Sequence, residues 1–303
     1  MNTGKNNLIG KTVMERYKVL RVIEKNMYVI SYLAIDEKGN RTYALNTFCK
    51  RDFSESQLCG MREQIKEMQG LNHPVFTRIF EVCEDDNNIY VIVDYSMFEG
   101  KNLYQYIEMY GTISPSNTVR WMIQICDAMK MMDGAHLTKR VPALYPTEII
   151  IQPTWKLQIR TLDLIPHEFD ALGGSLPLFT APEVFLNLKL VDERSIVYSV
   201  GAIMHFCMTG TIPIKTGDKI EYYSPVRLKI MPEKEQIECA CPPYLAWLVE
   251  NCMEKNPAKR PSSLDELIYL LNCWLYRFEE YPAAKRKVIK GRIIYKLKNL
   301  IKK

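Results

Sequence analysis

The 303-residue chain contains no run of about 18 apolar residues. Its most apolar stretch, Ile196 to Met208, is interrupted by Tyr198, Ser199, Gly201 and His205, so no membrane-spanning helix is expected. The opening residues MNTGKNNLIGK lack the apolar core of a secretory signal, and Asn2 stands where myristoylation needs a glycine. Disulfide pairing is not indicated either: the nine cysteines are odd in number, and Cys83, Cys126, Cys207, Cys252 and Cys273 lie in apolar segments. With no signal before them they read as reduced thiols of a cytoplasmic protein. Cys239 and Cys241 form a lone CxC with no second Cys/His pair at zinc spacing, so no metal module is expected there. Internal repeats and low-complexity tracts are absent, and a chain that is 47% hydrophobic and 25% charged has the composition of a folded globular protein.

A net positive charge is lacking outside one segment. Residues 285–303 hold nine Lys/Arg and no Asp/Glu, whereas residues 1–284 hold 31 Lys/Arg against 35 Asp/Glu, a charge of −4. The body is mildly acidic, which argues against specific nucleic-acid binding. In the tail, Ile289, Ile293, Leu297, Leu300 and Ile301 recur at helical spacing among Lys290, Arg292, Lys296, Lys298, Lys302 and Lys303. That is the pattern of a basic amphipathic helix, suited to an anionic membrane surface or an acidic protein groove.

Hydrophobic periodicity divides the rest. YKVLRVI, YVISYLAID and RTYALNTF are rich in β-branched and aromatic residues and read as strands, the last two joined by a turn through Asp36 and Gly39. Leu58, Met61, Ile65, Met68 and Leu71 then recur as on one helix face, with Ser54 as its N-cap. TRIFEVCED and NIYVIVDY predict two more strands. After Gly100 the pattern is helical: NLYQYIEMYG, then SPSNTVRWMIQICDAMKMMDG with its start signalled by Ser and Pro. The short strand-like pieces EIIIQ and KLQIRTL follow, then helices over Ser195 to Met208, Tyr244 to Met253 and Ser263 to Tyr276. Strands first and helices after predict an α+β fold in two lobes. An antiparallel sheet with one helix occupies residues 1–95, a mainly helical lobe residues 96–277, and the basic tail residues 278–303.

Several short motifs in this order are specific. Ala181-Pro182-Glu183 reads as an APE, Tyr198-Ser199-Val200-Gly201 as a YSxG, and Thr209-Gly210-Thr211-Ile212-Pro213 as a TGxxP. Asn256-Pro257 with Arg260-Pro261 reads as NPxxRP, and Leu71-Asn72-His73-Pro74 as LxHP. Together they resemble the eukaryotic-type Ser/Thr protein kinase domain over about residues 11–277. The resemblance implies a bilobal kinase-like fold, with Glu183 and Arg260 pairing beneath the activation segment and His73 packing in the core.

The same resemblance locates the positions that phosphoryl transfer requires, and most hold the wrong chemistry. The three glycines of the phosphate-covering loop fall at Glu24, Asn26 and Val29, and the valine that roofs the base is Ser31. The phosphate-binding lysine of the VAIK pattern is Asn46, and its glutamate partner is Gln64, so an ion pair is replaced by two amides that can hydrogen-bond. Glu63 is adjacent to Gln64 but points about 100° away on a helix. The catalytic aspartate is Ala143, the loop lysine Tyr145, the metal-binding asparagine Glu148, and the metal-binding aspartate Thr161, with Asp163 two residues on. Ile196 replaces the aspartate that supports the catalytic loop. Glu148 and Asp163 read most simply as a solvated residue and a turn residue. By contrast Ile23, Ala44, Val93 and Ile150 match the apolar positions around the adenine base.

The expectation is therefore a pseudokinase: a kinase fold without catalytic residues, metal site or firmly bound cofactor, with ATP held weakly at most through the adenine positions. Its implied work is regulation or scaffolding of a protein partner in the cytoplasm, with peripheral contact at the inner membrane surface through Lys285 to Lys303. A divergent Ser/Thr kinase and a nucleotide-sensing switch are the alternatives.

Overall fold

A computed structural model describes residues 8–25, 29–134, 143–160, 179–186, 191–211 and 242–276. The basic tail, Asn26, Thr161, Asp163, His136, Cys239 and Cys241 lie outside these residues. The chain divides into two compact units, one of residues 1–102 with 149–165 and the other of residues 103–148 with 166–303.

The first unit is built on a six-stranded antiparallel sheet in the order β1-β2-β3-β4-β6-β5. Its strands are β1 (Thr12–Val13), β2 (Tyr17–Lys25), β3 (Val29–Asp36), β4 (Arg41–Cys49), β5 (Ile79–Glu84) and β6 (Asn88–Asp94). The turn between β3 and β4 forms as its residues dictate: the Asp36 carboxylate accepts from the Lys38 amide at 3.0 Å, and Asn40 takes a left-handed φ of 47°. Because side chains alternate along a strand, the sheet has two distinct faces. Tyr32, Ala34, Tyr43, Leu45, Tyr90 and Ile92 bury one of them against Tyr17, Val19, Leu8 and Val13. Tyr43 stands edge-on to Tyr17 and Phe80, a favoured geometry for aromatic neighbours. The opposite face carries Ser31, Ala44, Asn46, Val91 and Val93, as the β3, β4 and β6 register requires.

Helix α1 (Glu55–Gln69) begins with a complete capping box: Gln57 N–H donates to Ser54 Oγ, and Ser54 N–H donates to Gln57 Oε1 at 2.8 Å. Its buried stripe is Leu58, Met61, Gln64, Ile65 and Met68. A three-stranded sheet of β7 (Lys101–Asn102), β8 (Ile149–Ile151) and β9 (Leu157–Ile159) completes the unit. Ile159 joins this sheet to the segment before β5: its N–H donates to the Val75 carbonyl at 2.6 Å, and its carbonyl accepts from the Thr77 amide and hydroxyl. Gly100 has no room for a side chain here, since a Cβ would lie 2.5 Å from Ile150 Cγ2.

The second unit is helical among its described residues. It contains α2 (Leu103–Tyr110), α3 (Pro115–Gly134), the short α4 (Pro182–Leu186), α5 (Glu193–Thr209), α6 (Pro243–Cys252) and α7 (Leu264–Leu275). α5 is buried all round from Ser195 to Met208, its polar Ser195, Ser199 and His205 included. It packs against α3 and α6. Gly201 permits the approach to α6, because a Cβ there would lie 2.5 Å from the Cys252 Cβ. Asp192 caps α5 and Ser263 caps α7 through their side-chain oxygens. No helix of the described residues is long and apolar enough to cross a membrane.

Candidate functional site

In the first unit the register sets the site. Glu24 lies opposite Ser31, Ser31 opposite Asn46, and Asn46 opposite Val91, so these four form one row on one face. Ala44 and Val93 form a parallel row two residues along the same face. Asn46 is only 3% exposed, and its Oδ1 accepts from Ser31 Oγ at 2.5 Å. Its amide nitrogen has no hydrogen-bond partner among the described residues. The Asn46 amide oxygen, one of the two amide groups the sequence allowed to hydrogen-bond, is thus engaged by Ser31 across the strand. Gln64 is buried on α1 while Glu63 is exposed, so the carboxylate next to it does not take over its place.

Glu24 makes an ion pair of its own. Arg160, directly after β9, reaches it with both terminal nitrogens: Nη2 donates to Glu24 Oε2, and Nη1 lies 3.5 Å from Oε1. The Arg160 guanidinium also sits 5.0 Å from the centre of the Phe98 ring, within cation–π range. Of the expected base positions, Ala44 and Val93 have no accessible surface, Ile150 keeps 4%, and Ile23 is half-buried.

In the second unit Ala143 is buried and offers no titratable group. Glu148 is 8% exposed, not solvated as the sequence suggested. Its Oε2 accepts from the Tyr145 amide at 2.8 Å, and its own amide donates to the Tyr145 carbonyl, so the carboxylate closes its own turn. Tyr145 and Thr180 share a hydroxyl hydrogen bond of 2.8 Å. Burial pushes the Tyr145 phenol up to about 12, so it is neutral near pH 7 and no substitute for a general base. Ile196, on α5, is buried and apolar, as its sequence position implied.

Beneath these residues the ion pair between Glu183 and Arg260 is complete. Arg260 Nη1 and Nη2 donate to the two carboxylate oxygens of Glu183 at 2.6 and 2.8 Å. The remaining N–H groups go to the carbonyls of Glu254, Arg194 and Lys255. Ser195 Oγ donates to Glu183 at 2.8 Å, and the guanidinium lies 5.0 Å from the Tyr198 ring centre. Ser195 lies outside every motif read from the sequence, whereas Tyr198 opens the YSxG. His73, expected in the core, is half-buried and accepts from the Val75 amide through Nδ1 at 3.2 Å, a turn-closing role.

Magnesium and a nucleoside triphosphate need a cation for the phosphates and carboxylates for the metal. The described residues do not fit that pair. The lysine position is a neutral amide, Arg160 is engaged by Glu24, Glu148 serves its own turn, and no cluster of metal-ligating side chains occurs among the described residues.

A family model described as protein tyrosine and serine/threonine kinase matches residues 26–271. The chain is 25% identical to the serine/threonine-protein kinase PrkC of Bacillus subtilis (strain 168) over 264 residues, 84% of this chain and 39% of that protein. It is 22% identical to the serine/threonine-protein kinase cds1 of Schizosaccharomyces pombe over 273 residues, 85% of this chain and 58% of that protein. Sperm motility kinase 1 of Mus musculus is 24% identical over 203 residues, 65% of this chain and 40% of the kinase. The chain thus spans less than two thirds of the length of each of these relatives. With a two-unit α+β fold, motifs in family order and a family model covering most of the sequence, this chain belongs to the protein tyrosine and serine/threonine kinase family.

Proposed function

We propose that this chain is a pseudokinase, a kinase-fold module that regulates or scaffolds a protein partner and does not transfer phosphoryl groups. The observation that carries the reading is Asn46: a neutral, buried amide bonded to Ser31 occupies the position where the family holds its phosphate-binding lysine. Charge stabilisation by cations dominates phosphoryl transfer, and a general base contributes a further factor of about 10²–10⁴. With Asn46 and Ala143 at those two positions, the residues supply neither. The intact Glu183–Arg260 pair favours a retained fold as the functional element, acting on its partner through the surface of the helical unit. The proposed location is the cytoplasm, with the basic tail touching an anionic membrane surface.

The test is a phosphoryl-transfer assay with the purified chain, magnesium, ATP and a generic protein acceptor. No turnover above background is expected. Turnover that Glu148→Ala or Asp163→Ala abolishes would overturn the reading and establish the divergent Ser/Thr kinase that the similarity to PrkC and cds1 favours.

A further inference from the structure

Two of the positions the family gives to the adenine base, Ala44 and Val93, share a sheet face with one member of an internal ion pair. Three observations converge on it, all in the first unit. Glu24 shares its face of the sheet with Ser31, Asn46, Ala44 and Val93. Arg160 reaches Glu24 from the far end of β9, 136 residues along the chain, and lays its planar guanidinium against Phe98. Its side chain is 13% exposed, against 43% for Glu24, so the guanidinium is the inner partner. Ala44 and Val93 have no accessible surface and Ile150 keeps 4%. Arg160 is also firmly based, since the residue before it, Ile159, is hydrogen-bonded to Val75 and Thr77.

We propose that Arg160, latched by Glu24 and stacked on Phe98, is an intramolecular occupant of the base pocket that excludes adenine nucleosides. A guanidinium against an aromatic ring offers the flat, polarisable surface that a stacked purine would otherwise present. The ion pair neutralises a carboxylate that would repel a polyanion, and it also blocks entry. Removal of the guanidinium would leave an apolar slot lined by Ala44, Val93 and Ile150, with backbone and the Ser31–Asn46 pair beside it. The inference rests on the family assignment of the base positions used above. It concerns exclusion of the base, not the absence of catalysis.

The test uses the full chain and adenosine, which carries no phosphate and so does not depend on the missing lysine. In thermal unfolding, the native protein in millimolar adenosine is expected to melt unchanged, whereas Arg160→Ala melts roughly 2–4 °C higher with adenosine than without it. The swapped pair Glu24→Arg with Arg160→Glu restores the latch with opposite polarity and should again ignore adenosine. A native protein already stabilised by adenosine overturns the proposal, as does a folded Arg160→Ala that does not respond or a swapped pair that responds like Arg160→Ala. If Arg160→Ala does not fold, Glu24→Gln, which releases the guanidinium without removing it, carries the same expectation and the same refutation. ATP turnover by any variant bears on the pseudokinase reading alone, because adenosine binding is measured without it.

Discussion

Arg260 has five N–H donors and the structure gives every one an acceptor: two oxygens of Glu183 and the carbonyls of Glu254, Arg194 and Lys255. Its side chain has no exposed surface and that of Glu183 keeps 5%. Both charges are therefore desolvated, and removal of one strands the other. Arg260→Ala should cost about 3–5 kcal/mol, lowering the melting temperature by roughly 10 °C. The double variant Glu183→Leu with Arg260→Met removes both charges and should lose markedly less. Thermal unfolding of the three proteins checks this; an Arg260→Ala protein that melts like the native one contradicts it. The pair was legible from the APE and NPxxRP motifs. Its Ser195 partner was not, because a uniformly buried helix gives no periodic signal to mark it. Glu148 misled for a related reason: a carboxylate in a loop reads as solvated until the turn that folds it onto the Tyr145 amide is seen.

At the scale of elements, residue type and spacing read the strands and helices closely, helped in α1 by one apolar stripe and an explicit end signal. Ser54 announces α1 and is its cap, and the Asp36–Gly39 turn joins β3 to β4 as expected. The two-residue β1 escaped notice, since Thr12 and Val13 are too few to show alternation. The latch between Glu24 and Arg160 was equally hidden, for it joins two elements far apart in sequence and follows from no motif.

α5 shows what a buried polar residue costs an element. His205 is 1% exposed, its Nδ1 lies 3.1 Å from the Thr211 carbonyl, and its Nε2 has no partner among the described residues. Burial lowers its pKa to about 4, opposed by the Thr211 hydrogen bond. The unfolded chain takes up this proton near pH 6.5, the folded one only near 4, so protonation favours unfolding. Stability from this residue is intact above about pH 6.5, declines as pH falls towards 4 and then levels, by roughly 3 kcal/mol in all. Denaturant unfolding of the native protein and His205→Gln across pH 4–7 checks it. The slope through this window should be markedly shallower in the variant, and equal slopes would refute the assignment.

For the whole molecule, charge is the separable property. The proposed contact of residues 285–303 with anionic lipid predicts co-sedimentation with phosphatidylserine-containing vesicles, weakening as salt is raised and lost when those residues are deleted. Binding that survives the deletion places the contact on the body of the protein, and binding insensitive to salt removes the electrostatic account.

The return of β8 and β9 to the first unit has a practical corollary. A fragment ending at Asn102 would contain the six-stranded sheet and α1 but not Ile159, leaving the Val75 carbonyl and the Thr77 amide and hydroxyl without the partner they have in the intact chain. Lys101 and Asn102 would likewise lose Ile151 and Ile150 as strand partners, and Glu24 would lose its cation. The sheet-bearing half therefore cannot be severed by a single cut. To prepare it in isolation, residues 149–160 would have to be grafted back through a designed linker.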